Sequence, residues 1–112
     1  MIPSFNPNHN LLDLVAGLSS NPWNQIIVVN DGSSNESQIF FDNLKVNDNV
    51  HVITHPNNQG KGAALKTGIK YIKSKLTGLD GLITVDSDGQ HLIEDINKIA
   101  KSVKSKENDV IF

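Results

Sequence analysis

A chain of 112 residues with 38% hydrophobic and 20% charged side chains is enough for one small soluble domain, 1–112, and holds no apolar run long enough to span a membrane. The absence of cysteine excludes disulfides, thiolate metal sites and a cysteine nucleophile. A net charge of −2 argues against a nucleic-acid partner.

Charge is distributed unevenly. Residues 1–44 carry Asp13, Asp31, Glu36 and Asp42 and no Lys, whereas residues 45–112 hold all ten Lys. There is no Arg, so a bound anion must be held by Lys, by backbone N–H groups or by a metal. No basic, apolar leader precedes the first element, so a cytoplasmic location is expected.

In chain order, Met1 to Phe5 reads as the last residues of a strand. Asn8 or Asn10 can cap a helix with Leu11, Leu12, Val15 and Leu18 on one face, ended by Asn21-Pro22. Gln25 to Val29 is a β-branched apolar run, expected as a strand buried on both faces. The turn cluster Asn30 to Ser34 leads into a short helix over about Glu36 to Leu44 with Ile39, Phe40 and Leu44 inward. Val50 to Thr54 is the next strand and His55 to Gly60 a loop. Lys61 to Leu76 is helical, with Leu65, Ile69, Ile72 and Leu76 on one stripe and Lys66, Lys70 and Lys73 opposite. Gly81 to Val85 is a third buried strand. A helix over Leu92 to Lys104 follows, and Asp109 to Phe112 looks like a strand cut off as it begins. Strands alternating with helices predict a mostly parallel sheet with helices on both faces, and both ends look unfinished, as in a fragment of a larger domain.

Ligands of open parallel sheets bind at the carboxyl ends of the strands. Three polar clusters fall at such ends: Pro3 to Asn6, Asn30 to Ser34 and Asp86 to His91. A fourth, Asn57 to Gly62, opens a helix. Asp86 and Asp88, two residues apart after an apolar strand and followed by Gln90, offer oxygen ligands to Mg²⁺ or Mn²⁺ bridging a diphosphate. The same residues would also serve as a solvated turn capping the next helix; their placement favours the metal. Asp31 can accept from the N–H edge of a nucleobase, with Gly32 admitting a ligand close to the backbone, or can form an Asx-turn. Gly60-Lys61-Gly62 fails both the Walker A and the dinucleotide patterns, because the chain has His55, Gly62 and Leu65 where those need other residues; a cation at a helix start remains. His91 lies beside the metal candidate. His9, His51 and His55 read as surface or strand residues, and Trp23 and Phe40 as packing.

Four segments in order, Ile2-Pro3-Ser4-Phe5-Asn6, Val28-Val29-Asn30-Asp31-Gly32-Ser33-Ser34, Asn58-Gln59-Gly60-Lys61-Gly62-Ala63-Ala64 and Val85-Asp86-Ser87-Asp88-Gly89-Gln90-His91, resemble the N-terminal half of family 2 glycosyltransferases. The last looks most like the dolichyl- or polyprenyl-phosphate mannose and glucose synthase branch. The resemblance implies a GT-A, Rossmann-like three-layer α/β/α fold and covers nearly the whole chain. It implies that Pro3 and Phe5 line a nucleoside pocket, that Asp31 binds the base, and that Lys61, Asp86 and Ser87 lie along the nucleotide. Asp86, Asp88 and Gln90 would hold Mg²⁺ or Mn²⁺ against the diphosphate of a UDP- or GDP-sugar. The acceptor would be a hydroxyl or a lipid phosphate at a membrane surface. Catalytic and acceptor-side residues would lie in a C-terminal half beyond the matched stretch. The family often has Glu after the Asn of the first segment; Pro7 here removes a base or ribose contact. Other readings are an inactive nucleotide-binding module and a sugar-phosphate nucleotidyltransferase. The latter would want a Gly-rich, basic loop after the first strand, and Asn6-Pro7-Asn8 supplies none.

Overall fold

The computed structural model describes residues 1–20, 25–76, 82–85 and, as backbone, 110–111. The strand β1 (Ile2–Ser4) is followed by helix α1 (Asn10–Ser19) and strand β2 (Ile26–Asn30). A 3₁₀ turn over Asn35–Ser37 leads into α2 (Gln38–Leu44), then β3 (Val50–Thr54) and α3 (Lys61–Lys75). Two short strands, β4 (Leu82–Ile83) and β5 (Val110–Ile111), complete the described elements.

All strand pairings are parallel. β1 pairs with β2 (Ile2 opposite Val28) and β2 with β3 (Val28 opposite Val52), while β4 pairs with β5 (Leu82 opposite Val110). Two main-chain hydrogen bonds join β4 to the free side of β1: Met1 N donates to Ile83 O (2.7 Å) and Val85 N to Met1 O (3.0 Å). The strands therefore run β3-β2-β1-β4, and the order reverses between β1 and β4. In open α/β sheets that reversal is where ligands lodge. Pro3 sharpens it. The next rung of the β1–β4 ladder would need an N–H at position 3, and proline has none.

β2 is buried along its whole length, and its side chains alternate between two cores. Ile26 and Val28 face α1 and α2, packing with Leu11, Leu14, Val15, Leu18, Phe41 and Leu44. Ile27 and Val29 face α3, packing with Met1 and Ala64. Each of the larger of these side chains, Ala64 apart, contributes roughly 1.5–3 kcal/mol when fully buried. The expected α/β, three-layer architecture is observed.

The inward faces differ in detail. α1 begins one residue after His9, with the Asn8 side chain accepting from Asn10 N (2.9 Å); Leu14 takes the buried place expected for Leu12. In α2 the expectation holds for Leu44, which is buried, and fails for the rest of the stripe: Phe41 is buried, whereas Phe40 is half-buried and Ile39 is 62% exposed. The 3₁₀ turn delays the α-helix to Gln38, so the stripe on α1 is set by the Phe41–Leu44 pair. In α3 the innermost positions are Ala64 and Gly68, with Leu65, Ile69 and Ile72 flanking them. Gly68 lets the helix lie on the Met1 side chain and Val29. The helix expected over Leu92 to Lys104, Asn21-Pro22 and Trp23 lie outside the described residues.

Candidate active site at the carboxyl ends of the strands

The loops leaving β1, β2 and β3 meet on one rim and are tied to one another by side chains. After β1 the chain turns at Asn6, which takes a left-handed conformation (φ 47°). Asn6 N donates to Ser33 Oγ (2.9 Å), and Asn6 Oδ1 accepts from Ser34 N (2.8 Å). Asn30 Oδ1 accepts from Ser33 N (3.0 Å), three residues on, a local side-chain bond that shapes the β2 loop. Phe5 stands beside this join, 51% exposed, an aromatic face presented at the rim. The Ser4 hydroxyl, one residue earlier, is the only buried side-chain polar atom without a hydrogen bond among the described residues.

Asp31 is the centre of the rim. It is 4% exposed, and each carboxylate oxygen accepts twice. Oδ1 takes His55 Nδ1 (2.8 Å) and Gln59 N (2.9 Å); Oδ2 takes Gly60 N (2.9 Å) and Asn58 Nδ2 (3.2 Å). Burial alone would push this carboxyl up. The His55 hydrogen bond, the Gln59 and Gly60 amides and the attraction of His55 outweigh burial and hold it below the ordinary carboxylate range. The Asp31 carboxylate thus binds the chain's own 58–60 loop.

Gly32 (φ 68°) permits a close approach, as expected, and what approaches is the backbone of Asn57 and Asn58, into which a Cβ at position 32 would run. Gly60 (φ 95°) turns the loop into α3, placing Lys61, which is exposed, as the first helical residue on the rim.

His55, expected as a surface or strand residue, is 7% exposed and bonds Asp31 through Nδ1 and Thr67 Oγ1 through Nε2 (2.7 Å). His51 is the strand residue expected, its ring bonded to Gln25 and Tyr71. Asn6, Ser33 and Asn58 fall within the polar clusters the sequence picks out, without a role assigned to each; the residues that sequence reading missed are His55 and Thr67. A buried aspartate must collect donors, and a His, Asn and Gly shortly past the neighbouring strand were the available signal.

Pro3, Phe5, Asp31 and Lys61 are thus brought to one end of the sheet by β1, β2 and the start of α3. Asp86, Ser87, Asp88, Gln90 and His91 lie outside the described residues; in sequence they follow Val85, which is bonded to β1. Among the described residues no group of three His, Cys, Asp or Glu could hold a metal ion, and no helix is long and apolar enough to cross a membrane.

Comparison with known proteins agrees with this architecture. The model of glycosyl transferase family 2 matches residues 1–112. The chain is 29% identical over 116 residues to a UDP-N-acetylglucosamine–dolichyl-phosphate N-acetylglucosaminyltransferase of Methanococcus voltae, covering 92% of this chain and 45% of that protein. It is 34% identical over 91 residues to a dolichyl-phosphate beta-glucosyltransferase of Trichomonas vaginalis (78% and 25%). It is 31% identical over 107 residues to a polyprenol monophosphomannose synthase of Mycolicibacterium smegmatis (92% and 39%). The chain spans less than half the length of these relatives, and no solved structure matches. The parallel sheet and the tied rim of three loops accord with this match, and the match across residues 1–112 makes the chain a member of glycosyl transferase family 2.

Proposed function

We propose that the chain is the sugar-nucleotide-binding half of a glycosyltransferase, taking a UDP- or GDP-sugar as donor and delivering the sugar to an acceptor of the polyprenyl-phosphate class at a membrane surface. The observation that carries this reading is the convergence of the β1, β2 and β3 loops on one rim, beside the reversal between β1 and β4, with the sequence running from β4 straight into Asp86. The dolichyl- and polyprenol-linked activities named for the relatives support the donor and acceptor classes.

The nucleoside is placed against Pro3 and Phe5, where the exposed ring offers a stacking face. Lys61, at the start of α3, supplies a cation near the nucleotide, and Asp86 and Ser87 flank the diphosphate. Asp31 acts from beneath, through the 58–60 loop; a direct contact with the base edge requires one of its four donors to give way. Asp86, Asp88 and Gln90 form a set of oxygen donors suited to Mg²⁺ or Mn²⁺. The ion, when bound, stabilises the departing diphosphate electrostatically. A phosphate acceptor already carries the charge it attacks with, so it needs no base to ionise it.

The test is calorimetric titration of UDP and GDP with and without Mn²⁺ or Mg²⁺, repeated on Asp88→Ala. Binding that requires the ion and is lost in the variant is expected. Equal affinity with and without metal overturns the assignment.

A further inference from the structure

His55 crosses from one element to another. Its ring joins the Asp31 carboxylate, at the end of β2, to Thr67 in the second turn of α3, with bonds of 2.8 and 2.7 Å on opposite sides. A carboxylate only accepts, so Nδ1 carries the proton shared with Asp31. We propose that His55 is a positioning residue of the nucleotide rim: by bridging Asp31 to Thr67 it fixes the carboxylate in the orientation that draws in the Gln59 and Gly60 amides, and so sets where Lys61 and the first turn of α3 stand. The proposal rests on reading this rim as a nucleotide site.

The geometry leaves the loop little other freedom. Behind it, Gly32 lies against the backbone of Asn57 and Asn58. In front, Asp31 takes one amide on each oxygen, Gln59 on Oδ1 and Gly60 on Oδ2. His55 shares Oδ1 with Gln59. Without the ring, Oδ1 keeps one donor. A buried charge would then lose a charge-assisted hydrogen bond that folding cannot replace with water. Lys61 is covalently next to Gly60, so any rotation of the carboxylate is passed directly to the helix start. The ring itself need not touch nucleotide; it acts through Asp31.

The experiment uses the full chain as wild type, His55→Leu, His55→Asn and Thr67→Val. It reads amide hydrogen exchange at Gln59 and Gly60, UDP and GDP titrations with Mn²⁺, and the denaturant midpoint. His55→Leu fills the space but donates nothing. It is expected to speed exchange at Gln59 and Gly60 at least about tenfold while the β2 amides stay protected, and to weaken nucleotide binding about ten- to a hundredfold, the range for a hydrogen bond to a charged group. His55→Asn, whose Nδ2 replaces Nδ1, recovers most of both. Thr67→Val removes only the Nε2 partner and gives a smaller, several-fold loss of both; it carries the same readouts should the Leu variant not fold.

Unchanged exchange at the two amides in His55→Leu or, failing that, in Thr67→Val overturns the proposal. So does equal loss in the Leu and Asn variants, which would make the ring a filler of volume, and so does unaltered nucleotide affinity once the amides are released. A wild-type chain that binds neither nucleotide with Mn²⁺ refutes the nucleotide reading itself, while the exchange measurement still decides whether His55 fixes the loop.

Discussion

The Asp31 carboxylate is worth more to this molecule as an acceptor than any surface charge, because four donors on three residues of one loop and one histidine depend on it. Asp31→Ala leaves the buried His55 ring and three part-buried loop donors without their acceptor and is expected to cost about 3 kcal/mol in chemical denaturation. Asp31→Asn keeps one oxygen, sets an NH₂ against N–H groups and falls between. The same site makes stability pH-dependent. The folded carboxyl lies below its unfolded value, so its contribution is complete above the unfolded value, about 3.9, and is lost as pH falls through the folded one. Thermal midpoints measured from about pH 6 down to pH 2 should decline at the acid end, and the decline should be shallower in Asp31→Asn. An aspartate after an apolar strand was legible from sequence as a residue of consequence. Its partners were not, because they come from 24 to 29 residues away and nothing in local pattern says which way a buried carboxylate turns.

At the level of elements, period-2 and period-3.6 patterns located the described strands and helices closely: β3 and the start of α3 lie where the sequence places them. Pattern failed at α2, where a 3₁₀ turn shifted the phase and a run of Ile39, Phe40 and Phe41 offered two equally apolar stripes. Phe41→Ala should therefore cost about 3–5 kcal/mol, and Ile39→Ala less than about 0.5 kcal/mol, in urea titrations. α3 carries Lys61, Lys66, Lys70, Lys73 and Lys75 and no acid. Lys66, Lys70 and Lys73 fall within an arc of about 60° on its exposed face. Their i,i+4 and i,i+3 spacings set like charges together, each pair unfavourable by about 0.2–0.5 kcal/mol. Lys70→Glu reverses both pairs and should raise the denaturation midpoint, with the gain shrinking in high salt.

For the molecule as a whole, the two cores follow from alternation along β2, where every second side chain serves a different layer. The class of fold and the end of the sheet that carries the site were readable for that reason, whereas the cross-loop ties through Asn6, Ser33 and His55 appear only when three distant turns are brought together.

One small absence marks the β4-facing edge of β1. β1 and β4 are stitched at Met1 and Val85, and the stitching halts at a ring nitrogen with no proton to give. An ordinary residue at position 3 would turn an N–H toward β4 at the level of the Val85 carbonyl. At position 3, the β4-facing edge of β1 thus has no main-chain proton to give.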